Sequence, residues 1–390
     1  MKFIIQMKTT LQLLAFLVGL LISVFLVFYL KVNIYEFSKP KRFHGNEWYN
    51  PYESLSSIKV KANFHAHTKK WGGMTFGENS EEELKTAYQA RNYDVIGISN
   101  YHSISDFMRE SPLYIPLYEH GINIFKVHNL VVGAKAVGLP GFPLHFSLHQ
   151  TQQMLQRTSR LGELNVLAHP TMSKLPVAAL SKLSGYNLLE VGNTLGMSTA
   201  HWDAALSAGK PIWILSNDDT HDLLKEPTFI KWNIIFPEEK NAASVINALK
   251  RGQHYGVESY ETDCEDYDLL ECRIYDDTLI VAMSHSVNRI DLIGQNGVQQ
   301  ATFTGTDRIK YALKVEDTYI RVEVHMDHCV YYLNPILRVP YSDNTFDLSL
   351  YPHSNAYITW VLRFTVLICL ILSVWMTFRL AIKITKRSDS

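Results

Sequence analysis

The chain has 390 residues, 47% of them apolar and 19% charged, with a formal net charge of −1. Its length suffices for two or three domains. The near-neutral balance excludes an overall basic field for nucleic acid and an acidic interaction tail, and no long basic stripe with interleaved aromatics occurs.

From the N-terminus, residues 1–10 form a flank and Leu11–Leu30 carries no charged residue. About 20 apolar residues cross the hydrocarbon core as a helix. Leu26-Val27-Phe28-Tyr29-Leu30 is bulky throughout and offers no small-residue cleavage site, which predicts an uncleaved anchor. Residues 31–57, with Pro40 and Pro51, read as a linker. From residue 58 short apolar runs alternate with helical patterns. Strands are predicted at Ile58–Phe64, Tyr93–Ser99, Ile122–Val127, Leu164–Ala168, Asn187–Val191, Pro211–Leu215 and Ile230–Phe236. The capping box Ser80-Glu81-Glu82-Glu83 opens a helix to about Arg91. Further helices are predicted at His149–Leu161, at Thr199–Ala208 before Gly209, and at Asn241–Lys250 before Gly252. The alternation predicts an α/β domain over 58–260 with a mainly parallel sheet, open or closed into a barrel.

Beyond residue 262 the pattern predicts seven short strands and a small β-sandwich domain over 262–345. Ile320, Val322 and Val324 share one face of a strand there. Arg321, Glu323 and His325 share the other, which reads as solvated. Ile358–Phe378 is a second apolar span, with Trp360 and Arg363 near its start and a basic tail over 379–390. The chain is thus expected to be an integral membrane protein with two spans, one transmembrane helix at each end, in contact with the lipid bilayer. The count of flanking Lys and Arg favours cytoplasmic termini and an extracytoplasmic middle region, whereas the first helix taken alone argues the reverse. Cys264, Cys272 and Cys329 lie between the spans and Cys369 within one, which makes no disulfide framework.

The chemistry concentrates at predicted strand ends, where α/β folds gather catalytic groups. Phe64-His65-Ala66-His67-Thr68 places two imidazoles on one face of a strand. Asn100-Tyr101-His102, Ala168-His169-Pro170 and Asp218-Asp219-Thr220-His221 each follow an apolar run. Imidazole and carboxylate together suit Zn²⁺, Mn²⁺ or Fe²⁺, and a cluster drawn from several strands can hold two ions that clamp a phosphate ester. The metal candidates are His65, His67, His102, His169, Asp219 and His221. His128, otherwise a loop histidine, and Glu190, otherwise a rim or surface residue, are further candidates. Lys69, Lys70 and Lys135 are basic groups that attract phosphate or simply stand at the surface.

Over about residues 58–260 these motifs resemble the PHP family, the polymerase and histidinol phosphatase domain of metal-dependent phosphoesterases. The match runs through His65-Ala66-His67-Thr68, Gly97 to His102, Leu167 to Pro170, and Ser216 to His221, the last with one extra residue. The resemblance implies a distorted (β/α)7 TIM-like barrel with a site for one to three divalent metal ions at its open end. Trp71-Gly72-Gly73 stands where the family often has Ser-Asp-Gly, Asn100-Tyr101 replaces an Asp before His102, and Gly133-Ala134-Lys135 stands where a bridging Glu is expected. His128, His120 or Glu119 are the substitutes for that Glu. The implied activity is hydrolysis of a small phosphorylated substrate, with His102 or His221 protonating the leaving oxygen. The alternatives are a catalytically degenerate binding or scaffolding module at the membrane, and a metal hydrolase acting on C–N bonds.

Overall fold

The computed structural model describes residues 2–145, 147–261, 264, 266–340 and 352–388. It divides into two units, one made of Met1–Phe37, Phe142–Gln153 and Pro352–Ser390, the other of Ser38–Gly141 and Met154–Tyr351.

The first unit holds helices Lys2–Tyr29 and Ala356–Ser388. Within them, Thr10–Tyr29 and Ala356–Ile384 are long and apolar enough to cross a membrane. Small residues let the two helices approach closely. A Cβ added to Gly19 would lie 2.4 Å from Oγ1 of Thr377. The Ser23 and Ser373 hydroxyls are 2.9 Å apart, and both also donate to the Gly19 carbonyl. Arg363 donates to Asn33 at 2.7 Å. Strand Tyr35–Glu36 pairs antiparallel with His353–Ser354.

The second unit is mixed α/β. One sheet runs Trp213–Ser216, Leu188–Asn193, Leu164–Leu167, Asn129–Val132, Leu117–His120, with Gly196–Met197 beside Leu188–Asn193. Its first three strands are parallel and its last two form an antiparallel hairpin. The segment Ile122–Val127 is therefore not a strand but the turn of that hairpin. Asn123 closes it by accepting from the Val127 N–H at 3.1 Å and donating to the Val127 carbonyl at 2.8 Å, an Asx-type turn that competes with extension.

The second sheet contains ten strands. Val60–Asn63 lies parallel to Val95–Ile96 and antiparallel to Lys231–Ile235, which leads through His254–Ser259 and Cys329–Val339 to Tyr319–His325, Thr278–Gly294 and Leu269–Tyr275. Among the described residues the C-terminal strands extend the sheet of the preceding region rather than forming the expected separate pair of sheets. Two of them are longer than the alternation suggested. Thr278–Gly294 has 17 residues and Val298–Ala312 has 15. The polar stretch after Met283 is a register irregularity between Ala282 and Val287, which bends a strand without ending it. The mainly parallel sheet expected over 58–260 is likewise corrected, since among the described residues of that region most pairings are antiparallel and the rest parallel.

Arg321 does not face solvent. Its side chain is 4% exposed and donates to both carboxylate oxygens of Asp203, at 2.8 Å each, so strand Tyr319–His325 docks on helix Thr199–Ser207. The predicted linker is also structured beyond residue 37. Glu47–Tyr49 pairs with Cys329–Val339, and the buried Tyr52 hydroxyl donates to the His254 carbonyl. The capping box forms as predicted: Ser80 accepts from the Glu83 N–H, Glu83 accepts from the Ser80 N–H, and Leu84 and Tyr88 bury one face of helix Glu81–Gln89. Residues 341–345, the end of the predicted C-terminal domain, lie outside the described residues.

Candidate metal centre

Each group in the centre leaves or sits at a strand of the second unit. His65 and His67 follow Val60–Asn63, held by the Phe64 N–H donating to Asn217 and the His67 N–H donating to the Thr220 carbonyl. Glu119 lies on Leu117–His120 and His128 precedes the paired strand Asn129–Val132. His169 follows Leu164–Leu167, Glu190 lies on Leu188–Asn193, and Asp219 follows Trp213–Ser216. His169 and Asp219 have φ of 27° and 55°, a left-handed backbone rare for non-glycine residues and concentrated at functional sites.

Four donor atoms converge: Nε2 of His65, Nε2 of His67, Oδ1 of Asp219 and Oε2 of Glu119. His65 and His67 are 3.1 Å apart, and Asp219 lies 3.0 and 3.3 Å from them. Glu119 lies 3.4 and 3.2 Å from the same two nitrogens. An ion with tetrahedral bonds of about 2.0–2.1 Å separates its ligand atoms by about 3.3 Å. These five separations therefore stand near the edge lengths of such a ligand shell. The other Glu119 oxygen, Oε1, faces a second group, 2.7 Å from Nδ1 of His128 and 3.1 Å from Nε2 of His169. One fully buried carboxylate thus addresses two nests of imidazole.

The electrostatics fit a cation. Glu119 Oε2 and Asp219 Oδ1 are buried without a hydrogen-bond donor, a costly arrangement for charged oxygens unless a positive partner is supplied. Among the described residues only histidines form ion pairs with Glu119, Glu190 and Asp219. Burial opposes a charge on His65, but Asp219, Glu190 and Glu119 outweigh it and raise its pKa well above the ordinary value. Burial likewise opposes the charges of Asp219 and Glu119, yet the surrounding imidazoles hold both carboxyls below the usual carboxylate range. His65, His67, His128, His169, Glu119 and Asp219 can hold a divalent ion or a pair of them.

Glu190 stands behind the ligand atoms. Its Oε1 accepts from Nδ1 of His65 at 2.9 Å and from Asn217 at 2.9 Å, and its Oε2 accepts from the His169 backbone N–H at 3.0 Å. It fixes the His65 tautomer so that Nε2 faces the centre, an orienting task typical of carboxylates behind metal-bound histidines.

Two candidates stand elsewhere. His102 does not join the cluster: its Nδ1 donates to the Gly138 carbonyl at 3.1 Å and its Nε2 accepts from the Gly121 N–H at 3.1 Å. With both ring nitrogens engaged by backbone, and φ at 48°, it can neither ligate nor protonate a leaving group from this position. His221 occupies the rim. Its ring stacks on His67 with centroids 4.3 Å apart, its Nδ1 donates to the Asp219 carbonyl, and its Nε2 lies 3.5 Å from the Tyr101 hydroxyl. Tyr101 itself stacks on His67 at 4.6 Å. Burial and the negative charge of Glu119 and Asp219 raise its pKa, keeping the hydroxyl protonated.

The extra residue in the last motif is also resolved by position. Asp218 turns away from the centre and accepts from Asn63, Tyr88 and the N–H groups of Ile230 and Lys231, while Asp219 enters it. Lys135 is at the surface, paired with Glu163 at 2.7 Å, so its position is unrelated to the bridge. Of the substitutes named for the expected Glu at Gly133-Ala134-Lys135, Glu119 and His128 enter the centre. A further group, Asp291, Glu323 and His325, is already served by cations, with Arg289 2.7 Å from Asp291 and Arg321 on Glu323.

No protein-family model and no curated protein matches the chain. A solved structure to which it is similar is a two-domain protein from Bacteroides vulgatus ATCC 8482 containing a predicted PHP-like metal-dependent phosphoesterase. The alignment covers 76% of this chain and 99% of that one, at 13% identity and a TM-score of 0.39.

Proposed function

We propose that the chain is a membrane-anchored, divalent-metal-dependent phosphoesterase of the PHP type. The observation that carries the reading is Glu119, whose two oxygens address two imidazole nests at ligand-shell spacing. Glu119 answers one of the two losses, of a Glu and an Asp, that favour the degenerate-module alternative. A distorted (β/α)7 barrel is the finer fold reading that accompanies this function, and the helices Thr10–Tyr29 and Ala356–Ile384 supply the anchor.

Divalent ions in such a centre polarise a phosphoryl oxygen and lower the pKa of water. The chain's own residues do the rest. Glu190 and Asn217 lock the His65 ring, and the Asp219 backbone carbonyl fixes the Nδ1–H tautomer of His221. That tautomer leaves His221 Nε2 able to take a proton from the attacking water and return it to the leaving oxygen. The protonated Tyr101 hydroxyl, beside His221 Nε2, is a donor for a phosphoryl oxygen.

The full chain, purified in detergent and loaded with Mn²⁺ or Zn²⁺, should bind at least one equivalent of metal and release phosphate from small phosphoesters. His169→Ala should lower turnover by orders of magnitude while the fold persists. Bound metal with no turnover across a broad phosphoester panel would overturn the reading, and turnover of amides or cyclic amides instead would move it to C–N hydrolysis.

A further inference from the structure

The loops that carry the metal-centre residues end in exposed apolar side chains. Trp71, Met74 and Phe76 follow His67 by a few residues, and Met74 and Phe76 are 83% and 76% exposed. Two of them stand against the centre: the Trp71 indole donates to the Tyr101 carbonyl at 2.9 Å, and the Phe76 ring meets His221 edge-on at 6.5 Å. Three residues past His221, Leu224 is 95% exposed. Leu195 is exposed two residues past Asn193, which donates to Asp219 at 3.3 Å. Ile124 stands out from the hairpin turn between Glu119 and His128. Single exposed apolar residues need no explanation, but a fringe gathered around one polar centre does.

Basic residues are interleaved with it. Lys69 precedes Trp71 and Lys126 follows Phe125, while Lys70 and Lys225 beside them pair with Glu81 and Asp222. Aromatic and aliphatic tips beside lysines are the composition of a protein surface at a lipid interface. The same chain carries two helices long and apolar enough to cross a membrane. A lipid phase is thus the apolar environment this chain itself provides for.

We infer that the substrate is a membrane-resident phosphate ester, its phosphate in the metal centre and its hydrocarbon chain on the fringe formed by Met74, Phe76 and Leu224. This deepens the phosphoesterase reading and rests on it. The reaction balances as hydrolysis: water adds to phosphorus, the bond between phosphorus and the lipid alcohol oxygen breaks, and one proton ends on that oxygen.

Two measurements on the full chain in mixed micelles separate this inference from the phosphoesterase reading. A hexadecyl phosphonate carrying a diazirine near its chain terminus, which cannot be hydrolysed, should photolabel peptides containing Met74–Phe76 or Leu224. The triple variant M74S/F76S/L224S should lose that labelling while keeping its metal content. In parallel, hexadecyl phosphate should exceed butyl phosphate in kcat/KM by about tenfold or more, the value of burying roughly two methylenes, and the triple variant should bring the ratio near one. Labelling confined to the two apolar helices, or labelling unchanged in the variant, would overturn the inference. So would equal rates on the two esters, or cross-links joining two copies of the chain through these loops. If no phosphoester of the broad panel is cleaved, the hydrolase reading falls, and the photolabelling still decides whether the fringe holds a lipid chain.

Discussion

Nδ1 of His65 lies 2.9 Å from Oε1 of Glu190, and both side chains are fully buried. The imidazole can therefore present only Nε2 to the centre. Loss of such an orienting carboxylate commonly weakens metal binding by about 10–100-fold. Glu190→Gln should show that loss in a metal titration while leaving the number of bound ions unchanged.

Glu119 stands among the imidazoles of the centre, whereas Lys135 pairs with Glu163 at the surface. Glu119→Gln should reduce the bound metal by at least one equivalent, measured by elemental analysis of the full chain. Lys135→Ala removes only a surface ion pair and should change stability by less than about 1 kcal/mol with full metal content retained. The reverse result would return the bridge to the Gly133-Ala134-Lys135 segment.

The Asp203–Arg321 pair should dominate the docking of helix Thr199–Ser207. Asp203→Ala leaves a guanidinium that is 4% exposed without its bidentate partner. Removing one member of a buried pair typically costs about 3–5 kcal/mol, whereas replacing both with apolar residues is often neutral. Chemical unfolding of D203A and of the double variant D203L/R321M should show a large loss for the first and recovery in the second.

His254 gives the fold an acid sensitivity independent of the metal centre. Burial pushes its pKa from 6.5 down to about 4, with the ring donating to the Ile214 carbonyl at 2.7 Å. Below pH 6.5 the unfolded chain takes up a proton that the folded chain resists. Stability should therefore fall as the pH drops from about 6.5 to about 4, by about 3 kcal/mol in all, and level off below. His254→Gln should lack this component when unfolding midpoints are compared across that range.

The proposed two-span anchor puts both termini on one side of a membrane and the residues between the spans on the other. Reporter fusions at Ser390 and at Asp307 should report different compartments, Ser390 the cytoplasmic one. A shared compartment would remove the two-span reading.

The sequence by itself determined what short-range rules can carry. Spans of about 20 apolar residues mark membrane-length helices, Ser80 and Glu83 mark a helix start, and a His-x-His at a strand end sends both rings to one face. The motifs around His65, His67, His169 and Asp219 were legible for that reason. Only the tertiary structure decided the rest. His102 lies in a motif of the same appearance as His169, yet two backbone groups from residues 121 and 138 claim its ring. Glu119 sits in no motif and becomes central because the hairpin Leu117–Val132 carries it across to strands distant in sequence. Asp219 was the candidate read from the motif, and Asn63, Tyr88 and the N–H groups of Ile230 and Lys231 hold its neighbour Asp218 away from the centre. Arg321 alternated with apolar neighbours and read as solvated until Asp203 buried it. In each case the deciding partner is remote along the chain, and local periodicity carries no information about which remote group a side chain will meet.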